Sequence, residues 1–327
     1  MKKYKVIYTD YNYQDKNVER KIFSDAGIDV DFADRSLSRN ELMEFCKDAD
    51  GLVTTYTEID KEFIKKIPNC KILVRTGIGF NTIDVNEASK RGIMVANVRD
   101  YCIDEVSDHA FAMMLALIRK LPKLNVCVKE KKSWTVNDCR PIRRISTLNV
   151  CCYGLGAIGK EFARKAIAFG MKVYVYDPFV SDKVLETLGA TRCNSLKELA
   201  ECADIFSIHT PLNDSTKGSV NSEILNSLKQ TAYLLNVSRG AIVDEKALTE
   251  AICTDKIAGA GLDVLTSEHP NLDSPLVQHE NTIITPHIAY YSEEADKKLE
   301  ETAALQAVLA LTEGRPQYFV NEKQINK

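Results

Sequence analysis

The chain is predicted to be α/β, built as two doubly wound parallel-sheet domains, and three observations carry that expectation. Short apolar runs of strand length alternate with helical stretches through the first hundred residues. A second series of the same kind runs from about residue 150 to about residue 285. That second series opens on a strand, a glycine turn, a helix and a strand that ends in an acid. Alternation of this sort places helices on both faces of a parallel sheet.

In the first series, residues 5–9, 30–33, 51–54, 71–74 and 94–97 read as short buried strands. Helical patterns over 17–25, 38–46 and 61–67 lie between them. Residues 102–121 read as one strongly apolar helix that ends before Pro122, because proline cannot continue a helix. In the second series the strands are 150–153, 172–176, 204–209, 232–237, 257–264 and 282–285. Helices are expected over 160–169, 182–188, 196–201, 223–228 and 244–254. A last helix over about 293–311 precedes Gly314-Arg315-Pro316.

The unit at 150–177 points to a dinucleotide. Its turn is Gly154-Leu155-Gly156-Ala157-Ile158-Gly159. Gly154 permits the tight turn, Gly156 lets a pyrophosphate approach the backbone, and Gly159 lets the helix pack closely on the strand. The helix N-terminus then faces the phosphates. Asp177, 18 residues after Gly159, can accept hydrogen bonds from a ribose diol. No Arg or Lys follows it within five residues to meet a 2′-phosphate, which favours NAD over NADP.

The 327 residues suffice for two ordinary domains, and 45% hydrophobic with 27% charged is a globular composition. A net charge of −3 with no dominant basic stretch argues against nucleic-acid binding as the main task. Lys129-Glu130-Lys131-Lys132 reads as a solvated segment. No apolar run approaches the ~20 residues of a membrane span, and the N-terminal stretch does not read as a signal peptide. Ten cysteines then imply reduced thiols in a cytoplasm, and no metal-ligand spacing joins them to the five histidines. Cys151 and Cys152 read as small core residues.

Three polar residues stand at strand ends in the second half. Arg239 follows Leu234-Leu235-Asn236-Val237-Ser238, Glu268 follows the strand at 257–264, and His287 follows Ile283-Ile284-Thr285-Pro286. Arginine can clasp a carboxylate with two parallel hydrogen bonds. Histidine suits proton exchange near neutral pH, and a carboxylate beside it fixes its tautomer. From spacing alone each keeps a second reading: a helix cap for Arg239, a solvated acid for Glu268, a loop histidine for His287. Ligands of such folds bind outside the carboxyl ends of the strands, so the cleft between two such domains is the default active site.

Together these residues resemble the D-isomer-specific 2-hydroxyacid dehydrogenases, over nearly the whole chain. The resemblance runs through Val74-Arg75-Thr76-Gly77-Ile78-Gly79-Phe80-Asn81-Thr82-Ile83-Asp84 and through Asn97-Val98 with Glu105-Val106-Ser107-Asp108-His109. It continues in the glycine turn, His209-Thr210-Pro211-Leu212 and Asn236-Val237-Ser238-Arg239-Gly240. It ends in Gly261-Leu262-Asp263-Val264 with Glu268, and in Thr285-Pro286-His287-Ile288-Ala289. Each motif alone is modest, but seven in the family's order are specific.

The resemblance implies a Rossmann NAD-binding domain, residues 99–288, inserted in a flavodoxin-like substrate domain formed by 1–98 and 289–327. It implies a homodimeric oxidoreductase that interconverts a 2-oxo acid and a D-2-hydroxy acid. Arg239 would bind the substrate carboxylate, His287 would give the proton, and Glu268 would pair with His287. NAD would meet Gly154, Gly156, Ala157, Ile158, Gly159 and Asp177. Val106, His209, Thr210, Pro211, Val237, Ser238, Arg239, Asp263, His287 and Ala289 would also contact it. Arg75, Ile78, Gly79, Tyr56 and Tyr290 would bind substrate, with the amides of Ile78 and Gly79 as a carboxylate cradle.

Several positions depart from the family pattern. Ala157 stands where many relatives place an Arg, Arg99 where Pro is common, and His269 separates Glu268 from Pro270. Thr54-Thr55-Tyr56-Thr57 holds no cation, which argues against a phosphorylated substrate. The chain also ends soon after its closing helix, which leaves no room for a regulatory domain. Tyr290-Tyr291 resembles the branch of C-terminal-binding-protein corepressors and some D-lactate dehydrogenases. These rings suit a substrate pocket or the packing of the last helix equally. An NAD-sensing, corepressor-like binding protein with incidental turnover is therefore the rival reading. A formate dehydrogenase is disfavoured by the presence of Glu268.

Overall fold

The computed structural model describes residues 3–11 and 15–325. Met1 and Lys2 of the N-terminal stretch lie outside the described residues. The chain forms two compact units, Met1–Cys102 with Ser292–Lys327, and Ile103–Tyr291.

The first unit holds a parallel sheet of five strands: β1 (Lys5–Tyr8), β2 (Asp29–Phe32), β3 (Gly51–Thr54), β4 (Ile72–Arg75) and β5 (Met94–Ala96). Their order is β2-β1-β3-β4-β5, the flavodoxin-like doubly wound arrangement. Ile7, Leu52, Leu73 and Val95 meet Phe63, Ile64 and Ile67 in one buried core. Each such side chain contributes about 1.5–3 kcal/mol on burial. Helix starts follow from capping. Ser38 and Glu41 form a capping box at the helix Arg39–Cys46, and Asp60, Asp84 and Ser292 cap the helices Lys61–Lys66, Val85–Lys90 and Glu293–Thr312. A cap of this kind contributes about 1 kcal/mol.

The second unit holds seven parallel strands: β6 (Asn149–Tyr153), β7 (Lys172–Tyr176), β8 (Thr191–Arg192), β9 (Ile205–Ile208), β10 (Tyr233–Asn236), β11 (Gly259–Leu262) and β12 (Thr282–Ile284). Their order is β12-β11-β10-β9-β6-β7-β8. The winding reverses between β6 and β9, and the carboxyl ends of those two strands therefore border the crevice of a Rossmann sheet. Gly154 follows β6 there, and His209 follows β9. Cys151 and Cys152 are fully buried in β6, as a core strand requires.

The sequence reading differs from the fold in several places. The expected helix 102–121 is two helices, Ile103–Ile118 and Leu121–Lys129, broken at Lys120, whose φ of 53° is left-handed. Pro122 lies in the first turn of the second helix, where its missing N–H costs nothing. Strand β8 spans only two residues and has no apolar run to announce it. The short helices Val85–Lys90 and Pro275–Gln278 also escape periodicity. The fingerprint helix begins at Ala157, inside the glycine turn, and runs to Ala168. Among the described residues, no helix is long and apolar enough to cross a membrane.

Candidate active site

The glycine turn is fixed by contacts that only glycine allows. Gly154 has a φ of +93°, and a Cβ there would lie 2.8 Å from the carbonyl oxygen of His209. A Cβ on Gly159 would lie 2.6 Å from the carbonyl oxygen of Gly154. Gly156, by contrast, faces open space. It stands at the start of the helix Ala157–Ala168, which has no side-chain cap and no acid in its first turn. The orphan N–H groups of that turn are therefore available to an anion. Ala157 is exposed and adds no charge.

Asp177, directly after β7, ties this turn down. Its Oδ2 accepts from the N–H of Leu155 at 2.8 Å and its Oδ1 from the N–H of Phe179 at 2.8 Å. Each oxygen keeps acceptor capacity for a diol. The donor turn, the bare Gly156 and the acid at the second strand together suit a dinucleotide with an unphosphorylated ribose. Burial pushes the His209 imidazole down to about 3, so it is neutral. Its Nε2 lies 2.8 Å from Ser207 Oγ and its ring lies 4.8 Å from that of Phe162. It therefore packs beneath the turn. The following loop is held by Thr216 Oγ1, which donates to the Pro211 carbonyl at 2.6 Å, while Thr210 precedes it half-buried. Val106 and Val237 are nearly buried, and Ile158 is half-buried.

Three strand ends of this unit carry the polar groups. After β10, Asn236 Nδ2 donates to the Arg239 carbonyl at 3.0 Å and its Oδ1 accepts from the Ser238 N–H at 3.0 Å. Ser238 Oγ donates to the Ile208 carbonyl at 2.8 Å. These bonds close the loop that presents Arg239, whose Nη1 donates to the Ser238 carbonyl at 2.6 Å. After β12, His287 Nδ1 lies 3.0 Å from both carboxylate oxygens of Glu268. The insertion of His269 thus does not prevent that pairing. Asp263, after β11, is 2% exposed. It takes the Thr285 hydroxyl at 2.6 Å, the Ile288 N–H at 2.9 Å and the Ala289 N–H at 3.0 Å. Oδ1 carries two of these donors and Oδ2 one. Tyr290 and Tyr291 close the unit.

The first unit contains the remaining expected residues. Gly77, with a φ of +134°, leaves no room for a Cβ, which would lie 1.6 Å from Arg75 Nη1. Arg75 is thus folded over the loop that carries Ile78 and Gly79. Asn97 fixes that loop: its Nδ2 donates to the Ile78 carbonyl at 2.7 Å, and the Val98 N–H donates to the Gly77 carbonyl at 3.0 Å. Arg99 donates from Nε to Asn97 Oδ1 at 3.1 Å. Tyr56 is 58% exposed.

Sequence reasoning missed two residues. Asp10, at the end of β1, accepts the N–H groups of Thr55 at 2.6 Å and Thr57 at 2.5 Å, and also the Thr57 hydroxyl. It shapes the loop that displays Tyr56, and an isolated Asp after a strand gives no sequence signal for this. Arg192 in β8 donates to the Asp177 carbonyl at 3.3 Å, the Val180 carbonyl at 2.7 Å and Asp182 at 2.6 Å. Among the described residues no cluster of three or more His, Cys, Asp or Glu is placed to hold a metal ion.

Residues 111–289 match the NAD binding domain of the D-isomer specific 2-hydroxyacid dehydrogenases. The chain is 36% identical over 265 residues to D-3-phosphoglycerate dehydrogenase of Bacillus subtilis, covering 81% of this chain and 50% of that protein. It thus spans about half the length of that relative. It is 35% identical over 296 residues to glyoxylate reductase of Korarchaeum cryptofilum, covering 88% of this chain and 87% of the other. Among solved structures, D-lactate dehydrogenase from Aquifex aeolicus, complexed with NAD and lactic acid, superposes with a TM-score of 0.83 at 27% identity. That match covers 98% of this chain and 97% of the other. The cofactor of the domain is NAD, the dinucleotide its turn and acid suit. A match over more than half of the chain, falling within the unit that has the Rossmann strand order, shows that the protein belongs to the D-isomer specific 2-hydroxyacid dehydrogenase family.

Proposed function

We propose that the chain is an NAD-dependent oxidoreductase that interconverts a 2-oxo acid and a D-2-hydroxy acid. The observation that carries this reading is the pairing of His287 Nδ1 with the Glu268 carboxylate at 3.0 Å, in the NAD-binding unit. In that pair Nδ1 holds the hydrogen toward the acid, which makes Nε2 the nitrogen that exchanges a proton. Arg239 anchors the substrate carboxylate and polarises the carbonyl beside it. His287 gives its proton to the carbonyl oxygen during reduction and takes it back during oxidation. Glu268 orients the ring. NAD, when bound, supplies or accepts the hydride.

The turn residues Gly154, Gly156, Ala157, Ile158 and Gly159 hold the pyrophosphate in this reading, and Asp177 holds the adenosine ribose. Asp263 retains acceptor capacity on Oδ2 for an amide. Tyr56, Arg75, Ile78, Gly79 and Tyr290 are proposed as substrate-binding residues. The unit Met1–Cys102 with Ser292–Lys327 serves as the substrate domain and Ile103–Tyr291 as the NAD domain.

A homodimer belongs to the same proposal. Leu121, Trp134 and Val136 are large apolar side chains left 56%, 90% and 59% exposed on the NAD-binding unit. Exposed apolar side chains of this size favour burial against a second copy. Analytical ultracentrifugation should give twice the chain mass.

The test of activity is the loss of NADH absorbance with glyoxylate, pyruvate, hydroxypyruvate and phenylpyruvate, followed by chiral chromatography of the product. Turnover giving only the D product supports the reading. Tight NADH binding with negligible turnover on every acid would favour an NAD sensor, and an L product would overturn the stereochemical assignment.

A further inference from the structure

Asp263 is a buried carboxylate whose donors all belong to the segment that carries His287. Thr285 donates its hydroxyl at 2.6 Å, and Ile288 and Ala289 donate their N–H groups at 2.9 and 3.0 Å. The Asp263 carbonyl also accepts the His287 N–H at 2.8 Å. His287 itself has a φ of 53°, a left-handed conformation uncommon outside glycine. Asp263 braces it on both sides, through its carboxylate and its carbonyl.

One more residue joins this arrangement. His109, on the helix Ile103–Ile118, has Nε2 at 3.0 Å from Thr285 Oγ1 and at 3.8 Å from Asp263 Oδ1. The direction of each bond follows from hydrogen counting. A carboxylate only accepts, so Thr285 gives Asp263 its single hydroxyl hydrogen. Toward His109 the same oxygen can then only accept. His109 therefore carries its hydrogen on Nε2 and donates it. The donations converge on Asp263: His109 gives to Thr285, Thr285 gives to Asp263, and the backbone N–H groups of 287–289 give to Asp263 as well.

We propose that His109 and Thr285 are positioning residues for His287, acting through Asp263. Neither touches the reacting atoms. The inference rests on the reading of His287 as the proton donor. Its physical content is that the Thr285 hydroxyl keeps the Asp263 carboxylate turned toward the amides of Ile288 and Ala289. Without it, Oδ1 loses its shortest donor and His109 loses its acceptor. The left-handed turn then relaxes, and the imidazole leaves its working position.

The experiment uses the full chain. Thr285→Val keeps the shape and removes the hydroxyl, while Thr285→Ser keeps the hydroxyl. With the best 2-oxo acid of the panel above, Thr285→Val should lower kcat by ~10- to 100-fold. Thr285→Ser should recover to within about threefold of wild type. Independently, ¹⁵N-labelled imidazoles report tautomers without cofactor or substrate. Wild-type His109 should be protonated on Nε2, and Thr285→Val should disperse the His109 signals and shift those of His287. An Nδ1–H tautomer for His109 in the wild type would overturn the proposal, whether or not the variants fold. Equal loss in Thr285→Val and Thr285→Ser, or an unchanged kcat in Thr285→Val, would overturn it as well. His287→Ala separates the two readings. If that variant keeps full turnover, the role of His287 fails, while the tautomer measurement still decides whether His109 and Thr285 are coupled to its position.

Discussion

Both carboxylate oxygens of Glu268 lie 3.0 Å from Nδ1 of His287. The two side chains are 64% and 34% exposed, so solvent screens their attraction and the pair adds about 1 kcal/mol or less to stability. In the proposed reaction its role is to orient the ring. Reduction would use the protonated imidazole and oxidation the neutral one. Glu268→Gln keeps the size and leaves a single oxygen to accept from Nδ1. It should lower kcat/KM, with a smaller loss than His287→Ala. The latter should cost about 10²–10⁴-fold in kcat/KM. A Glu268→Gln kcat/KM equal to that of the wild type would show that Glu268 does not orient His287.

Arg239 is presented by a loop that Asn236 closes with two hydrogen bonds of 3.0 Å. If the guanidinium anchors the substrate carboxylate, Arg239→Ala should raise KM for the 2-oxo acid strongly, at least about tenfold. Arg239→Lys should recover little, because an ammonium cannot make two parallel bonds. Steady-state kinetics over a range of substrate concentrations measures this. A KM unchanged in both variants would remove Arg239 from the substrate.

Much of this arrangement was legible in the sequence because strand ends are legible. A run such as Leu234-Leu235-Asn236-Val237-Ser238 ends where its apolar residues end, and a polar residue just beyond is placed at the rim of a parallel sheet. Arg239, His287 and the glycine turn stand beyond strands that the sequence shows, and the α/β class follows from the alternation itself. What was not legible depends on side chains that meet only after folding. Asp10 and Thr55 are 45 residues apart, yet their bond shapes the Tyr56 loop. Arg192 reaches Asp177 across 15 residues from a strand too short to show periodicity. The break at Lys120 was hidden because the apolar pattern runs on through it, and Pro122 marked a start where a stop was expected.

Cofactor choice should follow Asp177. Its carboxylate would accept a ribose diol and repel a 2′-phosphate. The nearby Arg192 does not reverse this, since its guanidinium already serves two carbonyls and Asp182. NADH should be preferred over NADPH by at least about tenfold in kcat/KM, or ~1.4 kcal/mol. Asp177→Ala should narrow that gap. It should also weaken both cofactors somewhat, because the Leu155 N–H loses its acceptor at 2.8 Å. Equal or better turnover of the wild type with NADPH would refute the assignment.

Stability should carry a separate pH dependence, set in the first unit. The helix Asn17–Asp25 packs on the helix Glu293–Thr312 and brings acids together. Burial, then the neighbouring Glu19, Asp296, Asp15 and Glu301, push the Glu300 carboxyl from its ordinary 4.5 up to about 7. Asp296 is raised as well, by burial and by Glu293. Between about pH 4.5 and 7 the folded chain therefore keeps a proton on Glu300 that the unfolded chain has released. The folded state binds more protons in that window, so stability declines as pH rises through it. Glu300→Gln fixes the neutral form. It should match the wild type near pH 5 and exceed it at pH 8. Because Glu300 is only partly buried, solvent screening limits the gain to roughly 1 kcal/mol, or about 2–4 °C in Tm. Thermal melts of both proteins at the two pH values decide it. A Tm difference that is the same at pH 5 and pH 8 would mean that Glu300 is not the group that loses its proton.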